Sequence, residues 1–518
     1  MATQTKEQEA PTPKAKRSFE FPSAVTTLVI VTVLVWIAAL FIPSGAYKET
    51  PDGAPIPGSY HRVPSPLSFG GKLSQLILAP VNGTYGLRNP TTGVVDTETL
   101  GHLFGQIGVI FFIMAIGAFI SVSFSTKALD TAVAALANRL RSKGWLLITA
   151  VRVLFSLLGS TMGFSVETLG FYALFIPLMT ALGYDRMVTS GMIILGALVG
   201  VMGATVNPFS IGVAAGEARL SIGDGLGLRL LLWALLTAMA IAWVLRYAGK
   251  VRRDPAASLL AGEDLGDGTA AREPAVEHRL TSTQKWVLVI TALAFALMIF
   301  SVIPWSSIFG AHTGPADDTL THTTAVQPYF FELNWWFPQL SMLFILACIP
   351  VAAVARIKEK ELVRLIGAGA ADMLGPAMVV LLAGGVSVIM TNTQTLDTIL
   401  HAMESLVTGT SAGVFTVITI GINIPLALLI PSSSGHAALA MPLLAPLADF
   451  AGVSRSVTVT AWIMAHGLTL MWAPTSVVLV GGLAIAKVSY DKWLRFAWPL
   501  LLGLLVVATG VCAIAAAA

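Results

Sequence analysis

Charge is scarce in this chain. Asp, Glu, Lys and Arg make up 11% of its 518 residues and 55% are hydrophobic, where a soluble domain carries about 25% charged residues. A soluble core would have to be far larger to bury that much apolar surface, so most of the chain is expected to face lipid. Cysteine is nearly absent: Cys348 and Cys512 both lie in apolar segments, which excludes a disulfide framework and a cysteine metal set. No zinc-ligand spacing occurs, so no transition metal is expected. No Walker motif occurs, so no nucleotide drives the protein. "GGVSV" (Gly384–Val388) is a lone glycine pair, not a phosphate loop. No Ser-His-Asp order suggests an enzyme, no cofactor is implied, and the net charge of +3 calls for no nucleic-acid partner.

What is present is a series of apolar segments divided by charge. A polar tail (1–20) with Lys14, Lys16 and Arg17 precedes an apolar run over 21–43. Ser44 and Ala46 faintly suit a signal peptidase, but the run is too long for a signal peptide and reads as a retained transmembrane helix. Lys127, Arg139, Arg141 and Lys143 fall in one connection, Arg246, Lys250, Arg252 and Arg253 in another, and Arg356, Lys358, Lys360 and Arg364 in a third. The connection 309–336 has no Lys or Arg and carries Asp317, Asp318 and Glu332. The positive-inside bias places the N-terminus and the three basic connections in the cytoplasm, and 309–336 and the Gly- and Pro-rich 44–101 outside. The polar stretch 249–285 reads as a cytoplasmic linker, and 286–365 as helices joining two larger units.

Those units are related. Leu129-Asp130-Thr131 recurs as Leu396-Asp397-Thr398, 267 residues later. "ETLGFYALFIPLM" (Glu167–Met179) resembles "SSSGHAALAMPLL" (Ser432–Leu444), and "RMVTSGMIILGALVGVMGAT" (Arg186–Thr205) resembles "RSVTVTAWIMAHGLTLMWAPT" (Arg455–Thr475), at nearly the same offset. Residues 102–248 and 366–515 therefore read as two copies. Their charge bias is opposite: Arg139–Lys143 is basic whereas its counterpart Glu404–Gly413 has no basic residue, and Lys487, Lys492 and Arg495 stand where the first copy has Glu217, Arg219 and Asp224. The fold class expected is an all-α polytopic membrane protein of two inverted-topology repeats, the organisation of secondary transporters.

Each copy has two polar interruptions. "GSTMGFSVET" (Gly159–Thr168) matches "PSSSGH" (Pro431–His436), and "GATVNPFS" (Gly203–Ser210) matches "WAPTSV" (Trp472–Val477). The first pair suits re-entrant hairpin tips. The second suits helices broken where Pro208 and Pro474 disfavour helical geometry at Asn207 and Ala473. Unwound backbone at membrane depth is tolerated where it lines a cavity or binds something. Its carbonyls and hydroxyls suit Na⁺, and helix N-termini suit an anionic group. Candidate substrate residues are Ser165, Glu167, Thr168, Asn207, Ser433, Ser434, His436 and Thr475. Candidate Na⁺ ligands are Ser165, Thr205, Asn207, Ser432, Ser433, Thr475 and Ser476. Glu167 either binds a cation or pairs with Arg152 in the preceding span. His436 either meets a substrate carboxylate or a proton, or is a satisfied core histidine. His466 is expected to pack or cap, and Asp130 and Asp397 to cap surface connectors.

"FIPSGAY", "PGSYHRV", "GFSVETLGFYALFIPL" and "NPFSIGVAAG" resemble the YfcC family, within the anaerobic C4-dicarboxylate carrier (DcuC-like) group of the ion transporter superfamily. The resemblance runs over nearly the whole chain. It implies a homodimer with a scaffold domain and an elevator-type transport domain of two hairpins and two broken helices, which hold substrate and Na⁺ between tips and breaks. Symporters of that superfamily carry Ser-Asn-Thr about ten residues before a proline. Here Glu167-Thr168 precedes Pro177 and Ser432-Ser433-Ser434 precedes Pro442. A carboxylate there would repel a dianion and welcome an ammonium group, a proton or another cation, in line with the family's link to basic amino-acid exchange. The expected function is ion-coupled (Na⁺ or H⁺) secondary active transport of a small amino acid or dicarboxylate across the bacterial inner membrane. A Na⁺-independent basic amino-acid antiporter is the alternative within the class, and a channel or non-transporting membrane subunit the alternative outside it.

Overall fold

The computed structural model describes residues 24–48, 55–89, 92–140, 142–261, 279–303, 305–309, 312–315, 324–327, 329–407 and 409–518. The polar tail 1–20, Arg141, the middle of the 249–285 linker and the Asp317–Asp318 pair lie outside them.

The described chain is helical. Helices α1 (Ala24–Phe41) and α2 (Phe69–Tyr85) lead into α3 (Ile107–Ser125), α4 (Ala128–Leu140), α5 (Gly144–Met162), α6 (Tyr172–Ala181), α7 (Arg186–Met202), α8 (Val213–Ala218) and α9 (Leu226–Arg253). After the linker come α10 (Ser282–Val302), α11 (Trp305–Phe309), α12 (Phe337–Ala355) and α13 (Glu359–Asp372). The chain ends with α14 (Leu374–Asn392), α15 (Leu396–Val407), α16 (Ala412–Leu429), α17 (Ser433–Phe450), α18 (Arg455–Leu470), α19 (Val477–Ala486) and α20 (Tyr490–Ala517). Strands among the described residues are short antiparallel pieces of two to four residues in 45–103 and 312–327. Eight of the described helices are long and apolar enough to cross a membrane: α3, α5, α9, α10, α12, α14, α16 and α20. The fold is that of an all-α polytopic membrane protein.

The order α3–α9 recurs as α14–α20. Each series runs as a span (19 and 19 residues), an amphipathic connector (13 and 12), a first hairpin arm (19 and 18), a returning arm, a second helix (17 and 16), a break, a short helix and a final 28-residue helix. Within each series the helix before the break packs on the hairpin arm and on the last helix, and the two series meet through α7 against α18 and α9 against α20. Asp130 and Asp397 both sit in the first turn of their connectors; Asp130 pairs with Lys127 at 3.6 Å, and Asp397 accepts the Tyr47 N–H at 3.0 Å.

Small residues set how close these helices come. A Cβ at Gly200 would overlap the Ser156 carbonyl, and one at Gly467 would overlap the Met202 backbone, so α7 lies nearly backbone-to-backbone with α5 and with α18. In lipid, where apolar surface gains little by leaving its solvent, such close approach is what holds helices together. The same device explains Gly384-Gly385. Gly83 of α2 sits directly on Gly384, and Gly385 on Pro80. This 17-residue helix has no counterpart in the sequence reading of 44–101, because Pro80 and scattered polar residues mask its apolar face.

The segment before α2 is tied to the connector α15. Tyr47 Oη donates to Glu404 Oε2 at 2.7 Å, the Gly58 N–H donates to Oε1 at 2.7 Å, and His401 Nδ1 lies 3.1 Å from Oε2. Burial pushes the Glu404 carboxyl up, but these hydrogen bonds and the neighbouring His401 outweigh it and hold it below the ordinary carboxylate value. Ionised Glu404 therefore stabilises the fold above its unfolded pKa of about 4.3, and that contribution is lost as pH falls through the lower folded value. Tyr47→Phe is expected to cost about 1.5–3 kcal/mol, as for a hydrogen bond to a charged group. Thermal unfolding in detergent, compared at neutral and acid pH, checks this: the gap between wild type and variant should close in acid.

Candidate functional site

The first break begins where α7 ends at Met202. Thr205 N–H donates to the carbonyl and the Oγ of Ser160 at 3.0 and 3.1 Å, and Ser160 Oγ donates to the Gly203 carbonyl at 2.8 Å. Asn207 then caps the next turn, its Oδ1 accepting the Phe209 N–H at 3.0 Å while its Nδ2 donates to the Gly159 carbonyl at 3.3 Å. Pro208 opens one π-helical turn, Pro208–Gly212, that runs into α8. The freed Thr205 carbonyl meets Arg229 of α9. This fully buried side chain donates to Thr205 O at 2.9 Å and to Asp224 O and Ile222 O, each at 2.6 Å. A buried guanidinium satisfied only by carbonyls puts a fixed positive charge directly behind the break. Nothing in its local sequence, an arginine near the start of an apolar helix, announced that role.

The first hairpin tip turns at Gly163, whose φ of +72° favours glycine, and continues into a 3₁₀ turn, Val166–Phe171. Thr168 is buried and its Oγ1 donates to the Ser165 carbonyl at 2.5 Å. Ser165 is half-buried. Glu167 is exposed, and its Oε2 accepts the Ser165 N–H at 3.0 Å. Arg152 and Glu167 form no ion pair: Arg152 is buried between α5 and α7, where its Nη1 donates to the Gly191 carbonyl at 2.6 Å.

The second tip turns at Ile430–Pro431. Ser432 caps α17 by accepting the Gly435 N–H at 3.4 Å and lies 3.2 Å from Ser434 Oγ. The second break follows α18. Thr475 Oγ1 donates to the Leu428 carbonyl at 2.9 Å, and Ser476 caps α19 by accepting the Leu479 N–H at 3.4 Å. The loosened carbonyls of Met471 and Trp472 are taken by Trp493 Nε1 at 2.9 Å and by Tyr490 Oη.

The two halves cross. Ser433 Oγ of the second tip donates to the Phe209 carbonyl of the first break at 3.4 Å, and α17 packs on that turn and on α8. The first tip packs in turn on α19, with Leu169 against Gly481. The tips and breaks thus form two junctions. At one, Asn207 and Phe209 of the first break lie against Gly163 of the first tip and Phe209 is reached by Ser433 of the second, with Ser165, Glu167 and Thr168 on the first tip and Ser432 and Ser434 on the second; at the other, the first tip packs on α19. Thr205 has its N–H and hydroxyl hydrogen-bonded to Ser160.

His436 is set back from the tip and fully buried. Its Nε2 lies 2.9 Å from Asn423 Oδ1 and its Nδ1 3.0 Å from His466 Nδ1. Asn423 Nδ2 donates to the Thr419 carbonyl at 2.7 Å, so Oδ1 is the acceptor and His436 Nε2 carries a proton. With both rings neutral, His436 Nδ1 then accepts from His466 Nδ1–H. Both rings lie against Trp462. The pairing joins α16, α17 and α18 behind the tip. Two histidines 30 positions apart on different helices carry no local signal for it.

The sequence reading also passed over Glu217. It lines a cavity of about 810 Å³ and keeps Oε1 buried without a hydrogen-bond partner. Its nearness to Arg219 and Asp224 made it read as part of a polar connection. No group of three or more His, Cys, Asp or Glu suited to a metal occurs among the described residues.

A family model described as "C4-dicarboxylate anaerobic carrier", DcuC, matches residues 21–517. An uncharacterised Haemophilus influenzae protein is 28% identical over 515 residues, covering 94% of this chain and 95% of that protein. The Escherichia coli protein named "Putative basic amino acid antiporter YfcC" is 27% identical over 520 residues, covering 97% of each. Among solved structures, the YdaH transporter of Alcanivorax borkumensis superposes with a TM-score of 0.62 at 15% identity, covering 95% of this chain and 98% of that one. Neisseria gonorrhoeae MtrF, described with a class of antimetabolite efflux pumps, gives 0.60 at 15% identity, covering 95% of each. At that identity the two structures speak for the fold.

Proposed function

The chain belongs to the DcuC family of C4-dicarboxylate anaerobic carriers and is a membrane transporter; on that premise we propose ion-coupled secondary active transport of a small carboxylate-bearing metabolite, an amino acid or a dicarboxylate. The observation that carries this reading is the meeting of both hairpins at the first break, where Asn207 bonds Gly159 of the first and Ser433 of the second tip reaches the Phe209 carbonyl. A structural subunit needs no matched set of four interrupted helices, and a channel needs a continuous polar stripe rather than polar groups gathered at two junctions. The copies are inverted with respect to the membrane. Carrier action is of the elevator type: the hairpins and broken helices move as a body against a scaffold, in a homodimer of the bacterial inner membrane whose N-terminus is cytoplasmic. Substrate and Na⁺ lie at the junctions, among Ser165, Glu167, Thr168, Thr205, Asn207, Ser432, Ser433, Ser434, Thr475 and Ser476. His436 supports that site from behind, since both its ring nitrogens are engaged within the protein.

Purified protein in liposomes tests this. Labelled amino acids and C4-dicarboxylates should accumulate under an imposed Na⁺ or H⁺ gradient and not without one. Uptake that needs only internal substrate and ignores both gradients would favour the antiporter, the activity in the name of the E. coli relative. Ion leak without saturable uptake would make the protein a channel.

A further inference from the structure

The basic end of α9 closes a groove. Leu245, Ala248, Gly249, Arg252 and Arg253 stand at helical spacing on one face of that helix. With Trp145 at the start of α5 and Tyr184 in the turn before α7 they line a cavity of about 420 Å³. Small residues make the room: a Cβ at Gly249 would meet nothing within 4 Å. Gly144 admits the opposite wall, since a Cβ there would overlap the Tyr184 ring. The lining is graded along the span. Leu245 lies toward the apolar middle of α9 and the arginines at its end. Trp145 is 58% exposed, a placement that suits the boundary between hydrocarbon and water. The groove lies at the opposite end of α5 from the first tip.

The arginines bring charge that the surrounding protein does not balance. Arg252 lies over the Tyr184 ring, 5.8 Å from its centroid, an attraction that orients the guanidinium without neutralising it. The carboxylates nearest in sequence face other donors. Asp185 accepts the Tyr247 hydroxyl at 2.7 Å, the Ser258 hydroxyl at 2.6 Å and the Val188 N–H at 2.8 Å, and Asp254 accepts the Ala256 N–H at 3.0 Å. Among the described residues neither arginine has an ion pair. A groove that is apolar at span depth and ends in two exposed guanidinium groups matches a molecule with a hydrocarbon chain and an anionic head. Guanidinium forks take phosphate oxygens two at a time, and the bilayer supplies such molecules at high local concentration. We propose that this groove binds one anionic phospholipid, with its phosphate on Arg252 and Arg253 and an acyl chain along Leu245 and Trp145.

The test titrates detergent-purified protein with phosphatidylglycerol and with phosphatidylcholine of the same chains, and counts bound lipid by native mass spectrometry. Wild type should hold phosphatidylglycerol roughly tenfold more tightly, each arginine near an anionic lipid surface being worth about fivefold. Arg252→Gln with Arg253→Gln should bring the two lipids within about twofold. Gly249→Leu keeps both charges and fills the groove, so it should also weaken phosphatidylglycerol severalfold. Leucine favours a helix over glycine, so this variant decides the matter if the arginine pair does not fold. Arg246→Gln with Lys250→Gln removes the same charge from the same basic run outside the groove and should keep the preference. Equal affinity of wild type for the two lipids, or full phosphatidylglycerol binding by Gly249→Leu, overturns the proposal. So does an equal loss in Arg246→Gln with Lys250→Gln, which would make the basic end a general electrostatic anchor. Displacement of the lipid by glycerol phosphate at equal concentration overturns it as well, since the groove would then be a site for free phosphate.

Discussion

Asn207→Ala should lower uptake by more than tenfold in protein that still folds and inserts. Asn207 closes the first break from both sides, with Oδ1 on the Phe209 N–H and Nδ2 on the Gly159 carbonyl, and it is 2% exposed. Alanine leaves the Phe209 N–H unpaired, at about 1–3 kcal/mol, and takes from the Gly159 carbonyl one of its two donors, the Gly163 N–H remaining at 3.2 Å. The loss falls on the joint rather than on the bulk of the helices, because Thr205, Ser160 and Arg229 keep their own bonds. Loosening the turn displaces the Phe209 carbonyl that Ser433 reaches from the other copy. Asn207→Asp separates the parts: it keeps the cap on Phe209 and loses the bond to Gly159. Uptake by both variants, with gel filtration and thermal unfolding as controls, checks the expectation. Normal uptake by Asn207→Ala would reduce the break at Pro208 to a kink.

His436→Ala should act on stability instead, costing about 3–5 kcal/mol. It strands Asn423 Oδ1 and His466 Nδ1–H, two buried groups at about 1–3 kcal/mol each, and leaves a cavity beside Trp462 that adds to the loss. The midpoint of thermal unfolding in detergent should drop by many degrees and the yield of folded protein should fall. A His436→Ala protein of unchanged stability that had lost uptake would mean that the ring leaves the pair to meet substrate during the cycle.

These two residues also mark where the sequence was informative. The breaks were legible because proline, glycine and clustered hydroxyls act locally: Asn207-Pro208 ends helical geometry wherever it stands, and the structure breaks there. The segments that read as two copies keep one offset, and the helix lengths over the same stretches recur. The connectors with Asp130 and Asp397 were legible for the same reason. Pairings between distant helices were not. His436 and His466, Ser160 and Thr205, Arg229 and the Thr205 carbonyl each depend on how neighbouring helices rotate, which no local pattern records. Glu167 shows the converse: it lies on the first tip, but the 3₁₀ turn at 166–171 leaves it exposed, while the carboxylate with a buried oxygen is Glu217, in a charged strip. Helix α2 was missed because a polar, proline-bearing helix packed on paired glycines has no span-like run of apolar residues.

Alternating access between inverted halves requires the two copies to face opposite ways in the membrane. The direct measurement is labelling of single cysteines in intact cells with a membrane-impermeant thiol reagent, in a background lacking Cys348 and Cys512. Ser142→Cys, in the basic connection of the first copy, should react only after the cells are opened. Thr410→Cys, in the matching connection of the second, should react from outside. Labelling of both from the same side would show the copies to be parallel and contradict the account.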